Sequence, residues 1–189
     1  MTDEAIIGLV LNGNTHMFSE LVDRHHDSVF GMALRFTGSH SDAQDISQEV
    51  FIKIYRNLHR FNGKSKFSTW VYRLSYNTCI DWTRSRKTIC NAANMVEIDT
   101  DFADSRAGPE DSYIEKQRRI DLREAIYGLK EKYRNILILF YFQGLSYDEI
   151  GEILDIPVKT VETQLYRARK QIKISLSLEL EGGVPDEMS

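Results

Sequence analysis

A chain of 189 residues holds one ordinary domain or two small ones, and its 42% apolar share fits a soluble globular protein. The formal charge is −4 and no run of about 18 apolar residues occurs, so direct membrane insertion is not expected. The opening MTDEAIIGLVLNGN has acids where a secretion signal needs a basic region, pointing to a cytoplasmic protein, and Cys79 and Cys90, with no zinc-ligand spacing, read as reduced thiols.

Prolines stand only at 109, 157 and 185, and no alternating apolar run is bounded by hairpin dipeptides. The fold class predicted is all-α: two small helical domains joined by a flexible acidic linker. The first strong helix is expected over 16–37. Phe18, Leu21, Val22, His25, Val29, Met32, Ala33 and Phe36 recur there at steps of three and four, and Gly38 ends it. The next helix is expected from about Ser41, with Gln44 at capping-box spacing, to Leu58, burying Ile46, Val50, Ile54 and Leu58. A loop, RFNGKSK, follows, with Ser68 or Thr69 as the cap of a third helix.

That third helix, KFSTWVYRLSYNTCIDWTRSRK, combines aromatic and cationic side chains inside an acidic protein. Between 64 and 87 stand Lys64, Lys66, Arg73, Arg84, Arg86 and Lys87 against Asp81 alone, a net +5. Trp70, Leu74, Asn77 and Asp81 share a stripe, with Val71 and Thr78 beside it; Trp70, Val71 and Leu74 read as core. Tyr72, Arg73, Tyr76 and Arg84 lie off that stripe and face solvent. Aromatic rings among cations suit an unwound nucleic-acid strand, because bases stack on rings while phosphates meet the cations.

Residues 88–112 change character. Glu97, Asp99, Asp101, Asp104, Glu110 and Asp111 face Arg106 alone, a net −5, which predicts a linker unable to bury enough surface to fold by itself. The domains expected are therefore 1–87, then the 88–112 linker, then 113–178, a four-helix domain, then an acidic tail over 179–189.

The clearest motif is GLSYDEIGEILDIPVKTVETQLYRARKQI, at helix-turn-helix spacing. Gly144 closes the preceding helix, Ser146 and Glu149 form a capping box, and Leu145 with Ile150 forms a hydrophobic staple. Gly151 stands where the two helices approach closely. Asp155 takes the left-handed turn position and Pro157 pre-sets the second helix. Val161, Leu165 and Ala168 point inward. Lys159, Thr160, Glu162, Thr163, Tyr166, Arg167, Arg169 and Lys170 are left to read duplex DNA. N-terminal polar residues of such a helix meet base edges, and the later cations meet phosphates.

Three blocks, DAQDISQEVFIKIYRNLHRF, KFSTWVYRLSYNTCIDWTRSRK and LSYDEIGEILDIPVKTVETQLYRAR, resemble in sequence and order the signature blocks of bacterial extracytoplasmic-function (ECF) sigma factors. These are the compact sigma-70 members with regions 2 and 4 only, and the resemblance spans about 16–175. It implies that the helix of 42–58 docks on core RNA polymerase through Asp45, Gln48, Glu49, Lys53 and Arg56. It implies that Lys64, Ser65, Lys66 and Phe67 form a pocket for a flipped base of the −10 promoter element. Arg73, Tyr76, Asn77 and Arg84 would track that strand. The helix from 158 would read the −35 element, and the linker would thread polymerase channels. An anti-sigma factor occluding both domains is implied as a further partner.

Glu162 and Gln164 depart from the family, where cations are frequent. The departure implies either altered −35 specificity or weaker DNA binding offset by an additional recruiting protein. Asp155 stands where glycine is common. The rival reading is a helix-turn-helix transcription regulator that never joins polymerase, which leaves residues 42–87 unexplained. An enzyme is disfavoured: no phosphate-binding or metalloprotease fingerprint occurs, and adjacent His25 and His26 diverge by about 100° on a helix. No cofactor or metal is expected.

Overall fold

The computed structural model describes residues 1–92 and 113–181, so the acids of the expected linker and the residues of the tail beyond 181 lie outside the described residues. The chain divides into two compact units, Met1–Phe102 and Ala103–Ser189. Among the described residues every regular element is helical, so the fold class is all-α.

The first unit holds α1 (Asp3–Leu11), α2 (Phe18–Thr37), α3 (His40–Asn57) and α4 (Phe67–Ala92). Helices α2, α3 and α4 pack pairwise, and α1 lies against α2. The apolar periodicity of α2 and α3 points where expected: Leu21, Val29, Met32 and Ala33 meet Ile46, Val50, Ile54 and Leu58 in a closed core. Fully burying side chains of this size contributes about 1.5–3 kcal/mol each. Gly38 ends α2 in the left-handed region at φ 72°.

Four features differ from the sequence expectation. Helix α1 was not anticipated. It is capped by Thr2 and buries Ile6, Ile7 and Val10. Asp3 fixes it to α2, its carboxylate accepting from Arg24 at 3.1 Å and from His25 Nε2 at 2.8 Å. Second, α3 is capped by Ser39, whose Oγ accepts from the Asp42 N–H at 3.3 Å, rather than by a Ser41/Gln44 box. With Gly38 already reversing the chain, Ser39 is the first residue free to hold the extended cap conformation, and Ser41 falls inside the first turn. Third, α4 starts at Phe67, so Ser68 and Thr69 are helical rather than capping. Fourth, α4 continues through residues 88–92 instead of stopping at Lys87.

The buried stripe of α4 is also displaced. Phe67, Val71, Ser75, Thr78 and Cys79 are buried, while Trp70 and Leu74 are only partly so, and Asn77 and Asp81 are exposed. Ser75 and Thr78 donate their hydroxyls to the carbonyls of Val71 and Leu74, each at 2.8 Å. Two polar residues thereby become satisfied packing surface, leaving the larger Trp70 at the rim.

The second unit holds α5 (Tyr113–Tyr127), α6 (Glu131–Leu137) running into a π-helical turn over Ile138–Phe142, α7 (Tyr147–Leu154) and α8 (Val158–Glu181). Helix α8 is the spine against which α5, α6 and α7 pack. It passes the expected boundary at 178.

Candidate nucleic-acid interface

In the first unit the loop between α3 and α4 is rooted by an aromatic cluster. Phe61, Phe67 and Trp70 lie with centroids 5.3–5.7 Å apart, and the His25 ring meets Phe67 edge-on at 5.4 Å. The Asn62 side chain accepts from the Lys64 N–H at 3.1 Å, turning the chain. Lys64 and Lys66 are carried on the outer surface, with Ser65 half-buried. Phe67 was expected to form the flipped-base pocket together with Lys64, Ser65 and Lys66. It is 2% exposed and anchors the loop from beneath, so its ring offers no stacking face.

Along α4, Arg73, Asn77 and Arg84 fall on one exposed stripe spaced i, i+4, i+11. Arg73 and Asn77 have no side-chain partner among the described residues. Tyr76 borders the stripe with its ring half-buried, edge-on to Phe36 at 5.8 Å. Tyr72 is half-buried too. Arg86 is held elsewhere: it pairs with Asp42 at 3.1 Å and lies 4.7 Å over Trp82, clamping α4 to α3.

On α3, Asp45, Gln48, Glu49 and Arg56 are exposed. Lys53 is more constrained, because its Nζ pairs with Glu49 at 2.7 Å and donates to Thr78 Oγ1 at 3.2 Å. Sequence reasoning confined to charged positions missed the apolar surface beside them. A groove between α2 and α3 is lined by Phe18, Val22, Phe30, Phe51, Ile52 and Tyr55, with Gln48 and Arg56 at its edge. Ile52 is 44% and Tyr55 45% exposed. The signal was present in the sequence as two large apolar residues on the outward side of an otherwise polar face.

In the second unit the helix-turn-helix follows the predicted chemistry closely. The capping box is complete: the Glu149 N–H donates to Ser146 Oγ at 3.2 Å, and the Ser146 N–H donates to Glu149 Oε2 at 3.0 Å. Leu145 and Ile150 are both buried. Gly144 has φ 65° and Asp155 φ 54°. A Cβ on Gly151 would stand 3.0 Å from the Ile156 carbonyl oxygen, so close approach of the turn uses its missing side chain.

Val161, Leu165 and Ala168 are fully buried under α8. Opposite them Lys159, Glu162, Thr163, Tyr166 and Lys170 are exposed; Thr160 and Gln164 are half-buried. The Thr163 hydroxyl donates to the Lys159 carbonyl at 2.8 Å. Arg169 Nε donates to the Tyr141 hydroxyl at 2.8 Å, with the guanidinium 5.5 Å from the Phe140 and Tyr141 centroids. The Arg167 side chain reaches the Tyr133 hydroxyl and draws that phenol's pKa below its ordinary value. These two tyrosines were missed by sequence reasoning. Tyr141 owes its direction to the π-helical turn, a register change that no local pattern announces.

The comparisons with known proteins agree with this geometry. The family model for Sigma-70 region 2 matches residues 21–89, and that for Sigma-70, region 4 matches residues 119–172. The ECF RNA polymerase sigma factor SigW of Bacillus subtilis (strain 168) is 34% identical, covering 88% of this chain and 92% of SigW. The ECF RNA polymerase sigma-E factor of Escherichia coli (strain K12) is 33% identical over 91% and 93%. The solved structure of CnrH, in complex with the cytosolic domain of CnrY, superposes with TM-score 0.68 at 22% identity, covering 93% of this chain and 97% of CnrH. RpoE of Bartonella quintana, in complex with the anti-sigma factor NepR, gives TM-score 0.68 at 20% identity over 85% and 96%. At those identities the two structures speak for the fold. The two matched regions in their order, with the curated relatives across nearly the whole chain, place this protein in the ECF sigma factors of the sigma-70 family, which direct RNA polymerase to promoters.

Proposed function

We propose a division of labour over named surfaces. Helix α3 docks on core RNA polymerase. The apolar groove with Ile52 and Tyr55 supplies the buried contact, and Asp45, Gln48, Glu49, Lys53 and Arg56 supply the polar rim. The 62–66 loop and the outer stripe of α4 hold the displaced −10 strand. Lys64 and Lys66 meet phosphates, Ser65 hydrogen-bonds beside them, and Arg73, Tyr76, Asn77 and Arg84 follow the strand. Phe67 positions the loop from beneath. Helix α8 lies in the major groove of the −35 duplex through Lys159, Thr160, Glu162, Thr163, Tyr166, Arg167, Arg169 and Lys170.

The observation that carries this reading is the exposed α4 stripe. Its side chains hold no part of the core, yet Arg73, Asn77 and Arg84 set donors and two positive charges against the single carboxylate of Asp81, on an acidic protein. Opening proceeds by capture, in which transiently unstacked bases are retained at a cost of a few kcal/mol per base offset by stacking and phosphate contacts. The chain does no covalent chemistry of its own, and nucleotide addition belongs to polymerase. It works in the cytoplasm, where no membrane-spanning helix is needed; among the described residues none is long and apolar enough to be one.

An anti-sigma factor is the regulatory partner this reading calls for. It is supported by the two structural neighbours, one bound to the cytosolic domain of CnrY and the other to the anti-sigma factor NepR. An additional recruiting protein would serve if −35 readout is weak. Gel filtration with bare core RNA polymerase tests the scheme. Stoichiometric co-elution is expected; a duplex-binding regulator would elute apart from the core.

A further inference from the structure

We infer that Glu162 is a specificity-determining residue of the −35 contact and selects a cytosine there. This deepens the assignment of α8 to the −35 duplex and rests on it.

Arg167 and Arg169 flank the exposed ridge on opposite sides, and each is turned toward a tyrosine of the preceding helix region, Tyr133 and Tyr141. Held to the flanks, they are placed for the two phosphate walls of a groove rather than for its floor. The ridge between them, in the N-terminal half of α8, carries Lys159, Glu162, Thr163 and Tyr166. Gln164, the other departure from the family pattern, is half-buried off this ridge. The Thr163 hydroxyl proton is engaged by the Lys159 carbonyl. Glu162 is exposed and has no ion-pair or hydrogen-bond partner among the described residues, so its carboxylate oxygens are left to accept from a ligand.

An unpaired carboxylate on the groove-facing ridge repels phosphate and lowers affinity for every sequence equally. It becomes favourable only where a base edge donates to it. In the major groove the donors are the exocyclic amines of cytosine and adenine. A carboxylate accepts and cannot donate. Adenine sets its N7 acceptor beside its amine, which opposes the second carboxylate oxygen, whereas cytosine presents its amine without that neighbour. Cytosine is therefore the base chosen. Lys159, one turn earlier, is a donor suited to guanine O6 and N7 nearby.

The test is selection with the reconstituted holoenzyme from promoters having a fixed −10 element and a randomised −35 segment. The unmodified chain is expected to enrich a −35 motif containing one strongly preferred cytosine. Glu162→Ala should flatten preference at that position alone, losing roughly tenfold to a hundredfold discrimination, the scale of one base contact. Glu162→Gln should move the preference toward adenine, which an amide can meet at N6 and N7 together. If Glu162→Ala keeps the same motif, or binds all sequences more tightly without relaxing any position, Glu162 only repels and the proposal is overturned while α8 remains the −35 reader. If the unmodified holoenzyme enriches no −35 motif, the assignment of α8 fails and this proposal falls with it.

Discussion

Asp155 holds a left-handed backbone at φ 54° in the tightest turn of the second unit. An unbranched L-residue without a local hydrogen-bonding side chain costs roughly 1 kcal/mol more there than glycine. The Asp155 side chain makes no hydrogen bond among the described residues to offset that cost, so Asp155→Gly should raise stability by up to about 1 kcal/mol in urea unfolding, whereas Asp155→Ala should leave it nearly unchanged. A second residue-scale prediction concerns Cys79, which burial pushes up to about 12 from 9.0. The native thiol stays neutral at physiological pH, so in a Cys90→Ser chain iodoacetamide should label Cys79 only after unfolding. The unfolded thiol ionises first, so the stability that burial of the neutral thiol contributes is full below pH 9 and is lost as pH rises towards 12. Stability that did not fall in that window after Cys79→Ala, but fell in the parent, would agree with this origin. Features formed by a side chain and its own neighbouring backbone, such as the Ser146–Glu149 box, were legible in the sequence because both partners lie within one turn. Ser75 and Thr78 were not. Their hydroxyls are satisfied by carbonyls four residues back, which hides polar residues inside the core.

At the scale of elements, the proposed scheme assigns α4 and α3 to separate steps. Arg73 and Asn77 are exposed and support no packing, so their joint replacement by alanine should leave the fold intact. Permanganate reactivity of −10 thymines should drop at least tenfold with the double variant, while closed-complex affinity changes less than threefold, roughly the loss of one or two strand contacts. Equal loss in both would remove these residues from strand capture. On α3, replacing Ile52 and Tyr55 with aspartate puts charge into an apolar groove. Affinity for core polymerase should fall by about 2 kcal/mol or more, with helical content unchanged by circular dichroism. The faces of α2, α3 and α8 were readable from periodicity, since each buries one continuous apolar stripe. Helix α1 was not. It is held by burial of Ile6, Ile7 and Val10 and oriented by Asp3 reaching Arg24 and His25, more than twenty residues away, which no local window contains.

For the whole molecule, the proposed scheme gives each of the two compact units half of the task. Neither surface is sufficient by itself. A −35 contact without polymerase docking is mere duplex binding, and docking without strand capture leaves the promoter closed. The family and both matched regions were legible from three blocks in order, because a two-part reader of duplex and melted DNA needs distinct chemistry in each part. The groove and the tyrosine-held arginines were not, since they depend on how helices meet. Run-off transcription from a promoter pool, with core RNA polymerase and this chain as the only initiation factor, tests the account most directly. Discrete start sites that vanish when the chain is omitted are the predicted result. Core enzyme that initiates no more selectively with the chain than without it would contradict the account.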